Sequence, residues 1–109
     1  MTVDSFVKSS GFKALSLPSP EKEIDGVYIG DLLSWVMGRA KAGNLWITIM
    51  SNVNVVAVSS LTDVSAVILA EGVTLDDEVL SVALEKGINV LSSDAPIYET
   101  AKAVTTSLS

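Results

Sequence analysis

Val64-Ser-Ala-Val-Ile-Leu-Ala70 leads through Glu71-Gly72 to a helix opening at Thr74, and Ile88-Asn-Val-Leu91 leads through Ser92-Ser93-Asp94 to a helix opening near Ala95-Pro96. Twice in succession the chain runs from a short apolar strand, through a polar break, into an amphipathic helix. Strands alternating with helices in this way predict parallel neighbours joined by helical crossovers, and so an α/β fold. Parallel strands buried on both faces read as nearly continuous apolar runs, as both of these do. The expected architecture is three layers, α/β/α, around a mostly parallel central sheet.

The helix after Glu71-Gly72 carries the fullest set of end signals. Thr74 is its expected N-cap and Asp77 stands in the capping-box position; Asp76, Asp77 and Glu78 meet the positive end of the helix dipole, and Lys86 and Gly87 close it. Val79, Leu80, Ala83 and Leu84 form its apolar stripe. In the last helix Pro96 occupies the first turn, where its missing N–H costs nothing, and Ile97, Ala101, Val104 and Leu108 recur at helical spacing.

Upstream, Leu45-Trp-Ile-Thr-Ile-Met50 is a strand by composition. Val55-Val-Ala-Val-Ser-Ser-Leu61 is rich in β-branched residues, which favour a strand. If 45–50 and 64–70 are parallel neighbours, however, the chain must cross over within about a dozen residues. The segment is therefore read as a short helix capped by Asn54. Ile24–Ile29 reads as another strand, followed by Gly30 and by Asp31 as N-cap of a helix over Leu32–Lys41 that Gly43 stops. Leu32, Leu33, Val36 and Ala40 share its apolar face, and Gly38 within it suggests close packing against a neighbour. Thr2 caps a first helix carrying Val3, Phe6 and Val7, with Gly11 just past its end. Phe12–Leu17 follows as an edge strand, since Pro18 and Pro20 forbid a central ladder.

The 109 residues predict one domain over 1–109, with 49% apolar content. No apolar run is long enough to span a membrane, and the amino terminus lacks a basic start and apolar stretch, so a cytoplasmic location is expected. The chain has no Cys and no His, which excludes Cys/His zinc sites, Cys nucleophiles and Ser-His-Asp triads. A net charge of −6 with only seven Lys and Arg speaks against nucleic acid. Neither Gly-x-x-x-x-Gly-Lys-Ser/Thr nor Gly-x-Gly-x-x-Gly occurs, so neither a phosphate loop nor a dinucleotide fingerprint is present. No cofactor and no metal are expected.

In open α/β sheets ligands lie beyond the carboxyl ends of the strands. That rim would gather Gly30, Asp31, Ser51, Asn52, Asn54, Glu71, Gly72, Ser92, Ser93 and Asp94, the candidate ligand-binding residues. Most are equally good caps and turn formers. Glu71 and Asp94 would make an acid/base pair only if their carboxylates meet. Trp35 and Trp46 suit a stacking surface, a dimer interface or the core.

Gly30-Asp-Leu-Leu-Ser-Trp-Val-Met-Gly38, Val55-Val-Ala-Val58, Ala66–Gly72, Gly87–Asp94 and Tyr98-Glu-Thr-Ala101 together resemble a DRTGG domain, a module similar to the amino-terminal domain of HPr kinase/phosphorylase. The resemblance runs most clearly over residues 26–104. It implies a compact α/β domain with helices on both sheet faces, oligomeric and regulatory, and closest to small stand-alone members that occur near genes for iron-hydrogenase-like and sensor-kinase proteins. The kinase chemistry of HPr kinase belongs to a separate phosphate-loop domain, so no phosphotransfer is expected. Where the family often has Asp-Arg this chain has Ser51-Asn52, and where it often has Thr-Gly-Gly this chain has Ala70-Glu71-Gly72. The functional expectation is a non-catalytic regulatory or interaction module that forms a homodimer, senses a small ligand at the strand-end loops and meets a signalling or redox-enzyme partner. The alternative is an adenine-nucleotide or metabolite binding domain.

Overall fold

The computed structural model describes all 109 residues. In chain order the elements are α1 (Val3–Ser10), β1 (Lys13–Ser16), β2 (Val27–Ile29), α2 (Leu33–Arg39), β3 (Leu45–Thr48), α3 (Asn54–Thr62), β4 (Ala66–Leu69), α4 (Asp77–Glu85), β5 (Val90–Ser92) and α5 (Ile97–Leu108). The strands form one sheet in the order β1-β5-β4-β3-β2. β2, β3, β4 and β5 are parallel, and β1 returns antiparallel beside β5.

Alternation along the strands divides the core in two. Trp46, Val67, Leu69 and Val90 face α2, α3 and α4, where Val36, Val55, Val56, Val58, Leu75 and Ala83 meet them. Leu45, Ile47, Ala66, Ile68 and Leu91 face α1 and α5, against Val3, Phe6 and Val104. This is the three-layer arrangement. Each crossover from β2 to β5 advances one strand in the same direction, so their right-handedness puts all three crossover helices on one face. After β5 the chain returns to the face that α1 occupies.

Residues 55–61 are helical, against the preference of their β-branched side chains. Four of them are fully or nearly buried (Val55, Val56, Val58 and Ser59), and the crossover requirement outweighs local propensity. The Ser59 and Thr62 hydroxyls donate to the carbonyls four residues back, and Asp63 ends the helix at φ 57° with its carboxylate paired to Lys22.

Several expected boundaries move. α4 starts at Asp77, not Thr74, and its N-cap is Asp76, whose side chain makes no capping bond. The cause is Leu75: seated in the core, it holds the preceding segment out of the helix. Leu84, expected on the buried stripe, is 58% exposed, and Val82 packs inward in its stead. α2 is shorter than expected, with Leu32 as N-cap and Ala40 already extended, so Gly43 belongs to the following turn. Leu32 faces solvent, and a Cβ on Gly38 would meet nothing, so Gly38 marks no close packing. β2 keeps only Val27–Ile29 of the expected Ile24–Ile29.

The amino-terminal end of the sheet is fastened by buried polar groups. Asn89, 1% exposed, donates to the carbonyls of Ser19 (2.7 Å) and Ser65 (2.9 Å) and accepts from the Ser19 N–H (2.9 Å). The Ser65 hydroxyl reaches the carbonyls of Glu23 and Gly43. No buried side-chain polar atom lacks a partner.

Candidate functional site

The carboxyl ends of β2 to β5 share one rim, and because β1 runs the other way its first residue, Lys13, arrives there too, opposite Ser92. β4 exits toward α4 on one face while β5 exits toward α5 on the other. Neighbouring strands whose exits diverge form the place where open α/β sheets hold ligands. Here that crevice is zipped by its own loops: the Glu71 N–H donates to the Ala95 carbonyl (2.8 Å) and the Gly72 N–H to that of Ser93 (3.0 Å).

Glu71 and Gly72 both adopt left-handed backbone, at φ 61° and 71°. That conformation costs an L-residue about 1–2 kcal/mol and glycine almost nothing. The Glu71 carboxylate partly offsets the cost by accepting from the Ile97 N–H at the start of α5 (3.3 Å). An acidic side chain thus stands where a bound anion would meet that helix.

Ser93 is occupied internally: its hydroxyl shares a hydrogen bond with that of Thr100 (2.9 Å) and accepts from the Ala95 N–H (3.2 Å). Ser92 is the last residue of β5, not part of the polar break. Its side chain lines a depression of about 320 Å³ together with Gly11, Phe12, Lys13, Ser93, Asp94 and Ala95. The Asp94 carboxylate lies on the Gly72 side, 3.6 Å from where a Cβ on that glycine would be.

At the other end of the rim, Gly30 and Asp31 act as a brace. The Gly30 carbonyl accepts from the Trp46 indole N–H (2.8 Å). The Asp31 carboxylate accepts from the Thr48 hydroxyl (2.8 Å) and the Ile49 N–H (3.0 Å), tying β2 to the end of β3. This is why Asp31 does not cap α2. Ser51, Asn52 and Asn54 sit exposed between β3 and α3; the Asn52 side chain accepts from the Asn54 N–H (2.9 Å), and Asn54 is the first residue of the helix, not its cap.

The ten candidates are thus distributed along a rim. Ser92, Ser93 and Asp94 gather at one depression with Glu71 and Gly72 adjoining; Gly30, Asp31, Ser51, Asn52 and Asn54 stand apart. Gly11, Phe12 and Lys13 were missed because the pattern of Phe12–Leu17 gives a strand but no direction. Trp46 is a core residue, while Trp35 is 52% exposed under the Arg39 guanidinium, 3.7 Å from the ring centroid. No group of three or more Asp and Glu side chains is placed to hold a metal ion.

A DRTGG domain model matches residues 19–107. No curated protein matches the chain. Among solved structures, the CBS and DRTGG domains of the regulatory region of Clostridium perfringens pyrophosphatase, in complex with the activator diadenosine tetraphosphate, superpose with a TM-score of 0.75 at 16% identity. The match covers 97% of this chain but 46% of that one, so the chain spans about half the length of the regulatory region it resembles.

Proposed function

Because the chain belongs to the DRTGG domain family, we propose that it is a regulatory module with no catalytic chemistry of its own, cytoplasmic, homodimeric, and responsive to a small ligand at the strand-end rim. The family match over residues 19–107 carries this reading. The rim supports it: Glu71 caps a helix, Ser93 is engaged internally, and no nucleophile sits beside a base there. In such a module the output is a change in association with another protein, and a signalling or redox-enzyme component is the proposed partner.

The homodimer is supported by where the apolar surface lies. β2 is an edge strand whose Val27 and Ile29 are 41% and 46% exposed, and Leu32, Trp35 and Met37 on the following segment are all more than half exposed. Apolar side chains left exposed together on neighbouring elements favour association.

A second reading is binding of an adenine nucleotide, favoured by the activator named for the pyrophosphatase regulatory region. Thermal denaturation against a panel of nucleotides and central metabolites tests both. A ligand present at 100 times its dissociation constant should stabilise the fold by about 2.7 kcal/mol. A response to adenine nucleotides alone selects the second reading; a panel with no response removes the ligand from the first and leaves the interaction module.

A further inference from the structure

We infer that the depression between β5 and the start of β1 binds a small zwitterion, a molecule of the α-amino-acid class carrying one carboxylate and one ammonium group. The inference rests on the ligand-responsive reading above and names the ligand chemistry. Its first support is Ser92: the residue is 9% exposed, its hydroxyl has no hydrogen-bond partner, and it lines the depression. Ser65, Ser59 and Ser93 all bond within the fold, so Ser92 departs from the other buried serines whose hydroxyls are spoken for. Since no buried side-chain polar atom of the fold lacks a partner, this hydroxyl is open to the depression and free to bond a ligand there.

The second support is the pair of charges on the same walls. Lys13 and Asp94 both line the depression and neither forms an ion pair or a side-chain hydrogen bond, although Lys8 and Lys22 each hold a carboxylate. Opposite charges on one small concavity that do not close on each other suit a ligand that presents a charge to each. Lys13 and the Ser92 hydroxyl donate to the carboxylate, and Asp94 accepts from the ammonium.

Net charge decides between this class and a polyanion. With −6 on the chain and Glu71 standing at the α5 terminus beside the depression, a nucleotide phosphate meets repulsion that a neutral zwitterion does not. The volume, about 320 Å³, lies at the small end of ligand sites. Gly11, Phe12 and Lys13 precede the residues matched by the family model, so one wall of this concavity lies outside that match.

The test is an amide NMR titration of the ¹⁵N-labelled full chain with each of the twenty standard amino acids. For the best of them it is repeated with the deaminated acid and the decarboxylated amine, and with ATP, AMP and diadenosine tetraphosphate as separate arms. The expected result is saturable shifts of the Lys13, Ser92, Ser93 and Asp94 amides with at least one amino acid and with neither one-charge analogue. Lys13→Gln and Asp94→Asn, both spectrally folded, each weaken binding at least tenfold, and Ser92→Ala weakens it severalfold. Silence toward every amino acid, equal binding of a one-charge analogue, or unchanged affinity in both charge variants overturns the proposal. If nucleotides shift the rim while amino acids do not, only the zwitterion falls; if neither does, the ligand-responsive reading falls with it.

Discussion

Glu71 shows how one residue serves against its own conformational preference. Its left-handed backbone calls for glycine, and the Thr-Gly-Gly of the family signature, set against Ala70-Glu71-Gly72 here, places a glycine at that position. What Glu71 adds is the carboxylate at the Ile97 N–H. Glu71→Ala loses the cap and keeps the strain, whereas Glu71→Gly loses the cap and relieves it. Urea unfolding should therefore find the glycine variant more stable than the alanine variant by about 1 kcal/mol. Asn89 is the opposite case, a polar residue that fits its buried place fully. Asn89→Ala strands the Ser19 and Ser65 carbonyls and should lower stability by about 2–4 kcal/mol in the same assay. Neither role was legible in the sequence. Asn89 reads as a strand residue because its partners lie 70 and 24 positions away. Asp31 reads as a helix cap because local spacing cannot show that Thr48 and Ile49 claim its carboxylate.

Among the elements, α3 measures how far context overrides propensity. Its helical state was inferred from the need to join parallel β3 and β4, a constraint of topology, and its own residues argue otherwise. A peptide of residues 52–63 should consequently show no helical circular dichroism in water at 25 °C, because a nine-residue helix without its packing partners is below the length at which helices persist. The strands were legible because their apolar runs are long enough to be buried on both faces. The helix starts were less so. Leu75 moves the beginning of α4, and Asp31 leaves α2 with Leu32 as its cap. For α2 a tertiary contact claims the residue that the local pattern assigned to the cap; for α4 it claims the residue that follows the expected cap.

For the whole molecule, the uncovered apolar surface at β2 and α2 sets the expected assembly. Light scattering coupled to size exclusion should give twice the chain mass of 11.4 kDa at high micromolar concentration, and Trp35→Ser should shift the species toward the monomer. A wild-type monomer under those conditions refutes the homodimer. The rim was legible as a place, since parallel topology alone collects the strand ends. Its division into a brace at Gly30–Asp31 and a depression at Ser92–Asp94 was not, because it depends on where β1 inserts. That insertion also governs the order in which the chain matures. β1 is made well before its hydrogen-bonding neighbour β5 and before α5, the helix that shelters α1. Contacts so distant along the chain slow folding, so Val3 and Phe6 lack the cover of Leu91 and Val104 until β5 and α5 have been made.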